Sequence, residues 1–180
     1  KRWIYKQYDS QVQANTVFIP GKSDAAVVRL RKQNKKNKSK VFSGVAASVD
    51  CNSRWVSLDP FRGTIAAVAE SARNVSCVGA EPVAITNNLN FSSPDTEIGY
   101  WQLTSSCNAI SEACKVLETP VTGGNVSLYN ESKNKDNEIT PIFPTPVVGM
   151  VGKIDNVEKA ISSEWKNIED QIWLIGSSKS

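Results

Sequence analysis

Two stretches of this chain open on an oxygen-bearing residue followed by proline, Asp59-Pro60 and Ser93-Pro94, and each runs on with apolar side chains at helical spacing. An N-cap acceptor with proline in the first turn predicts a helix start at both places. After Pro60 the stripe is Ile65, Val68, Ala69, Ala72 and Val75. It is rich in alanine, so this helix can approach a sheet closely, and Gly79 is placed to cap its end. After Pro94 the stripe is Leu103, Cys107, Ile110, Cys114 and Leu117, ending before Pro120. Helices with a single apolar face need another layer to cover it.

Strands supply that layer. Residues 82–86 read as a strand leading into Asn87-Asn88-Leu89-Asn90. Residues 15–19, 25–30 and 41–49 read as further strands, the last two as a hairpin across a long loop. Residues 121–128 form another, passing through Gly123-Gly124, and 147–151 one more. A polar loop spans 130–138, and Asp155 with Glu158 resembles a capping box for a short helix. The expected fold is α+β: a sheet of about four strands, mostly antiparallel, with helices on one face. Ile172-Trp173-Leu174-Ile175 reads as a strand close to the last residue. Residues 1–155 are therefore expected to form one domain, and 156–180 a linker and the first strand of a second, truncated one.

Charge and composition exclude several classes of function. The net charge is only +3, and much of the positive charge lies in one run, residues 29–40. A nucleic-acid patch is one reading of that run, but no aromatic residues are interleaved and a solvated loop fits better. The four cysteines, Cys51, Cys77, Cys107 and Cys114, form no CxxC pair, and the chain has no histidine. Zinc binding is not expected, and the thiols read as buried and reduced. Without histidine, serine–histidine and cysteine–histidine catalysis within this chain are excluded. No apolar run is long enough to span a bilayer and the first residues carry no signal-peptide pattern, so a cytoplasmic protein is expected.

The candidate chemistry lies in three polar segments. Thr122-Gly123-Gly124-Asn125-Val126-Ser127 combines two glycines, which permit close approach of a ligand, with an amide oxygen suited to magnesium and a hydroxyl. It lacks the lysine of a P-loop, and a bend in a strand explains the glycines equally well. Asn87-Asn88-Leu89-Asn90 offers donors and acceptors for a base, ribose or phosphate, or else Asx-turn chemistry. Asp50 could hold a metal and Arg54 a phosphate.

These segments recur together, in order, in one known family. Asn15-Thr16-Val17, Asp50-Cys51-Asn52-Ser53-Arg54, Leu58-Asp59-Pro60, Gly79-Ala80-Glu81-Pro82, Asn88-Leu89-Asn90-Phe91, the stretch 119–131 and Pro144-Thr145-Pro146-Val147 resemble the large, synthetase subunit of phosphoribosylformylglycinamidine synthase. The match is to the N-terminal-type domain of that subunit's second half, an aminoimidazole ribonucleotide synthetase-like fold. The resemblance implies ATP-dependent amidation of formylglycinamide ribonucleotide in purine biosynthesis. Ammonia would come from a glutaminase subunit, with a small accessory subunit completing the complex. It implies ATP and Mg2+ as cofactors, and neither nucleic acid nor membrane as a partner. Residue by residue, it implies that Asn87 and Gly124 contact ATP, Asn125 binds Mg2+ and Ser127 contacts the substrate. The family carries aspartate where this chain has Asn87. Its catalytic histidine belongs to the other half, so no catalytic residue is expected here. A nonenzymatic, structural nucleotide-binding domain is the alternative reading.

Overall fold

The computed structural model describes residues 2–19, 21–31 and 41–176; residues 32–40 of the basic run lie outside these. Among the described residues four helices, α1 (Arg2–Tyr5), α2 (Ser53–Leu58), α3 (Pro60–Cys77) and α4 (Glu97–Leu117), accompany seven strands. The strands are β1 (Ala26–Arg29), β2 (Gly44–Asp50), β3 (Glu81–Asn90), β4 (Val121–Ser127), β5 (Glu131–Lys133), β6 (Ile139–Pro141) and β7 (Thr145–Ile154). Five of them make one sheet, in the order β1-β2-β7-β3-β4. Every neighbouring pair is antiparallel except β3 and β4, which run parallel through the crossover helix α4. The expected α+β architecture holds, with five strands in the sheet.

The local reasons are capping and alternation. Asp59 caps α3, its carboxylate accepting from Arg62 N at 2.9 Å. Gly79 follows the helix at φ +86, a conformation that costs glycine little. Along β7, Pro146, Val148, Met150, Gly152 and Ile154 are buried, and the residues between them are more exposed. That is the period of a sheet covered on one face. α3 packs across β2, β7 and β3, with α4 alongside it. Val68, Val75, Ile85, Phe91, Val148 and Met150 are wholly excluded from solvent at this seam. The opposite face remains open, and Val49 there is 72% exposed.

Several sequence expectations are corrected. α4 is capped by Thr96, whose hydroxyl accepts from Gly99 N, so Ser93-Pro94 opens a turn and the helix starts later. The helix stripe differs as well: Cys107 and Leu117 are exposed, and Ser106, Ala109 and Ala113 are buried in their place. α4 packs on alanine-rich α3, so small side chains face the contact. Only Cys114 of the four cysteines is buried; Cys51 is half-buried, and Cys77 and Cys107 are exposed. A short helix, α2, precedes α3, where no separate helix was expected. Residues 15–19 contribute only an isolated bridge, Thr16 to Val28. Part of the polar loop pairs as a β5–β6 hairpin, turned by Asn134, whose Oδ1 accepts from Asp136 N and Glu138 N. Asn156, in place of Asp155, caps a single 3-10 turn, Val157–Lys159. Ile172 to Ile175 form no strand: they are fully exposed and no neighbouring strand pairs with them among the described residues.

Candidate functional site at the edge of the sheet

The polar segments meet at the carboxyl ends of β3 and β4, the only parallel pair among the described residues. Asn87 lies beside Gly124, Asn88 beside Asn125, Leu89 beside Val126 and Asn90 beside Ser127. The amide cluster is thus part of strand β3 itself, where the sequence reading had it following a strand. Alternation then divides the predicted residues between the two faces. Asn87 and Gly124 share a side with Ile85 and Leu89, toward the helices. Asn88, Asn90, Asn125 and Ser127 share the open face with Thr86. Because β4 is the outermost strand and almost entirely exposed, both groups are reachable around a single edge.

Gly124 is required by its neighbour. A Cβ there would collide with the Asn87 side-chain oxygen and come within 2.7 Å of the Asn87 carbonyl oxygen. At Gly123 a Cβ would meet nothing within 4 Å. The first glycine leaves the open face bare, and the second lets the Asn87 side chain lie over the edge strand. Thr86 Oγ1 donates to Gly123 O and Thr122 Oγ1 to Ile85 O, which stitches the two strands together on alternate faces.

On the open face Asn125 Nδ2 donates to Asn88 Oδ1 at 3.2 Å. Asn90 Nδ2 donates to the same oxygen at 3.3 Å and to the Asn88 carbonyl at 3.0 Å. Ser127 Oγ donates to Asn130 Oδ1 at 3.2 Å. Asn130 ties the strand ends together, its Nδ2 donating to Ser127 O at 2.8 Å and Phe91 O at 3.1 Å. The chain reaches it through Tyr129, whose φ of 58 is unusual for a side chain of that size. Tyr129 OH donates to Asp95 at 3.1 Å, and that bond with the adjacent charge holds the phenol above its ordinary pKa. Beyond Asn130 a groove of about 580 Å³ opens, lined in part by Ser92, Ser93, Thr96, Glu131 and Phe143.

Asn130 lies within the stretch 119–131 and at the start of the expected polar loop, and the sequence reading assigns it no contact of its own. Its offset of three from Ser127 was the available signal. Asp50 lies apart. It occupies the same cross-sheet row as Asn87 with Val148 between them, and its carboxylate accepts from Ser71 Oγ at 2.9 Å and Asn74 Nδ2 at 3.1 Å. These bonds tie the end of β2 to α3. Arg54 is exposed on α2. Among the described residues no three His, Cys, Asp or Glu side chains gather as a metal cluster. The donor set at the edge is made of neutral, hard oxygens. It suits a magnesium ion that takes its remaining ligands from phosphates and water.

Fold and edge together define an α+β module with a glycine-relieved edge strand beside an amide cluster. The chain belongs to the AIR synthase related protein, N-terminal domain family, which matches residues 22–154. Over its whole length it is 92% identical to phosphoribosylformylglycinamidine synthase subunit PurL of Prochlorococcus marinus strain MIT 9312 and covers 23% of that protein. Two solved structures from Thermotoga maritima are similar at 36% identity. PurLQS has a TM-score of 0.72, with 91% of this chain and 25% of that chain covered. PurL complexed with ATP has a TM-score of 0.70, with 88% and 24% covered. The chain thus spans about a quarter of the length of the relatives it matches. Among the described residues no helix is long and apolar enough to cross a membrane.

Proposed function

We propose that this chain is the N-terminal-type domain of the second half of a phosphoribosylformylglycinamidine synthase large subunit. The whole enzyme would convert formylglycinamide ribonucleotide, ATP and glutamine-derived ammonia to formylglycinamidine ribonucleotide, ADP and phosphate in the cytoplasm. A glutaminase subunit, a small accessory subunit and the rest of its own polypeptide would be its partners. Residues from 156 onward would lead into the following domain.

The observation that carries this reading is the pairing of Asn87 with Gly124 and of Asn88 with Asn125 on one exposed parallel edge. Asn87 and Gly124 would form a wall against ATP, the missing Cβ letting the nucleotide come close to the backbone. Asn125 would lend Mg2+ one amide oxygen, and Ser127, held by Asn130, would face the substrate. When bound, Mg2+ offsets the charge of the transferring phosphoryl group. Asn87 contributes no charge of its own, so its part is positional. No residue of this chain is assigned the proton transfers.

The test is a magnesium titration of the full-length synthase. Asn125→Ala raises the Mg2+ needed for half-maximal activity on the order of tenfold, a magnitude seen for partners even one step removed from a metal. An unchanged titration curve sinks the assignment. By calorimetry the isolated 180-residue chain binds ATP and Mg2+ weakly at most and shows no turnover.

A further inference from the structure

We infer that Asn88 is a positioning residue that turns the carbonyl oxygen of Asn125 outward, through an amide relay anchored on the backbone of β3. The inference rests on Asn125 as the cation ligand proposed above, and it assigns a role to two residues that touch neither cation nor nucleotide.

The relay follows from which atoms can only accept. Asn90 Nδ2 lies 3.0 Å from Asn88 O and 3.5 Å from Thr145 O, both backbone carbonyls. Only the nitrogen of the Asn90 amide can face them. The same nitrogen is 3.3 Å from the Asn88 side chain, so the Asn88 atom that meets it is the oxygen. That oxygen also meets Asn125 at 3.2 Å, so Asn125 must present its nitrogen there. The Asn125 oxygen then points away from the sheet, and no donor among the described residues takes it. An isolated asparagine presents nitrogen or oxygen with little preference. Here the backbone carbonyl of Asn88 on β3, with that of Thr145 on β7 beyond it, fixes the choice. Register supports the geometry: Asn88 and Asn125 are direct neighbours, and Asn90 is on the same face one step along. A cation needs the oxygen, and an outward nitrogen would repel it.

The experiment uses full-length synthase with a non-hydrolysable ATP analogue, titrated with Mn2+ as a paramagnetic stand-in and read as bound against free metal. Asn88→Leu keeps the size and removes the acceptor, and is expected to weaken Mn2+ binding about tenfold. Asn88→Asp keeps the acceptor and retains binding. The double variant Asn88→Leu with Asn125→Ala binds no more weakly than Asn125→Ala alone, since both act through one oxygen. Asn90→Asp supplies a second route. Plain electrostatics predicts that an added carboxylate tightens cation binding. The relay predicts weakening, because a carboxylate cannot take the place of an amide nitrogen against Asn88 O and Thr145 O, and the Asn88 side chain loses the donor that fixes its oxygen toward Asn125. Wild-type binding in Asn88→Leu, or tighter binding in Asn90→Asp, overturns the relay while Asn125→Ala still weakens binding. If Asn125→Ala binds Mn2+ normally, the ligand assignment itself falls and the relay with it.

Discussion

Replacing Gly124 by alanine tests the edge most directly, with Gly123→Ala as its internal control. Both glycines lie on β4 and neither has a positive φ. They differ in what a Cβ would meet. At Gly123 there is open space, so the substitution removes backbone freedom from the unfolded chain and is expected to be neutral or stabilising by up to about 1 kcal/mol. At Gly124 the Asn87 side chain can swing aside, but the Asn87 carbonyl oxygen, at 2.7 Å, belongs to β3 and cannot. Restoring an ordinary contact of 3.4 Å moves β4 away from β3 by about 0.7 Å, an overpacking that costs about 1–3 kcal/mol. The expected result is a urea midpoint for Gly124→Ala clearly below wild type, with Gly123→Ala at or above it, measured on the 180-residue chain. Adding Asn87→Ala to Gly124→Ala recovers only part of the loss, because the backbone contact survives. Equal midpoints for the two single variants would refute the close-approach argument. Full recovery in the double variant would show that the side chain alone was the obstacle.

Two further outcomes concern the body of the domain. Asp50→Ala leaves Asn74 Nδ2 without its acceptor and Ser71 Oγ with only Val148 O, at 3.4 Å, on a part-buried seam, and should lower unfolding stability by about 1–3 kcal/mol; a change within experimental error would show that the tie between β2 and α3 carries little. Burial pushes the Cys51 thiol up from 9.0 to about 11, so its neutral form is favoured in the folded state. On raising pH the unfolded chain loses this proton first, and the stabilisation is fully present below 9 and is lost as pH rises through 11. Iodoacetamide near pH 8 should therefore modify exposed Cys77 well before Cys51, a contrast that mass spectrometry reads directly.

The fold was legible where local chemistry decides it. Asp59-Pro60 marked its helix start correctly because a cap needs only nearby backbone. Apolar periodicity found α3 but missed the width of its buried face, since Thr64 and Ser71 are also fully enclosed. Polar side chains that satisfy one another, such as Thr64 with Ser106 at 3.1 Å, leave no mark on an apolar pattern. At the site the residue types were readable, and both the double glycine and the amide run stood out. The division of those residues between two faces was not readable, because it depends on the register between β3 and β4, strands far apart in sequence. Ile172 to Ile175 show the opposite limit: β-branched and aromatic residues favour a strand, but no strand forms without a neighbour to pair with.

The strand order has a consequence for synthesis. β7 occupies the middle of the sheet, between β2 and β3, yet it is the last of the five to leave the ribosome. Until it emerges, β2 and β3 each present a bare backbone edge, and α3 has no continuous surface on which to rest. The nascent chain can assemble β1 with β2 and β3 with β4, but the halves wait for a single segment to join them. Such late, long-range closure slows folding and leaves edges open to wrong pairing in the interval.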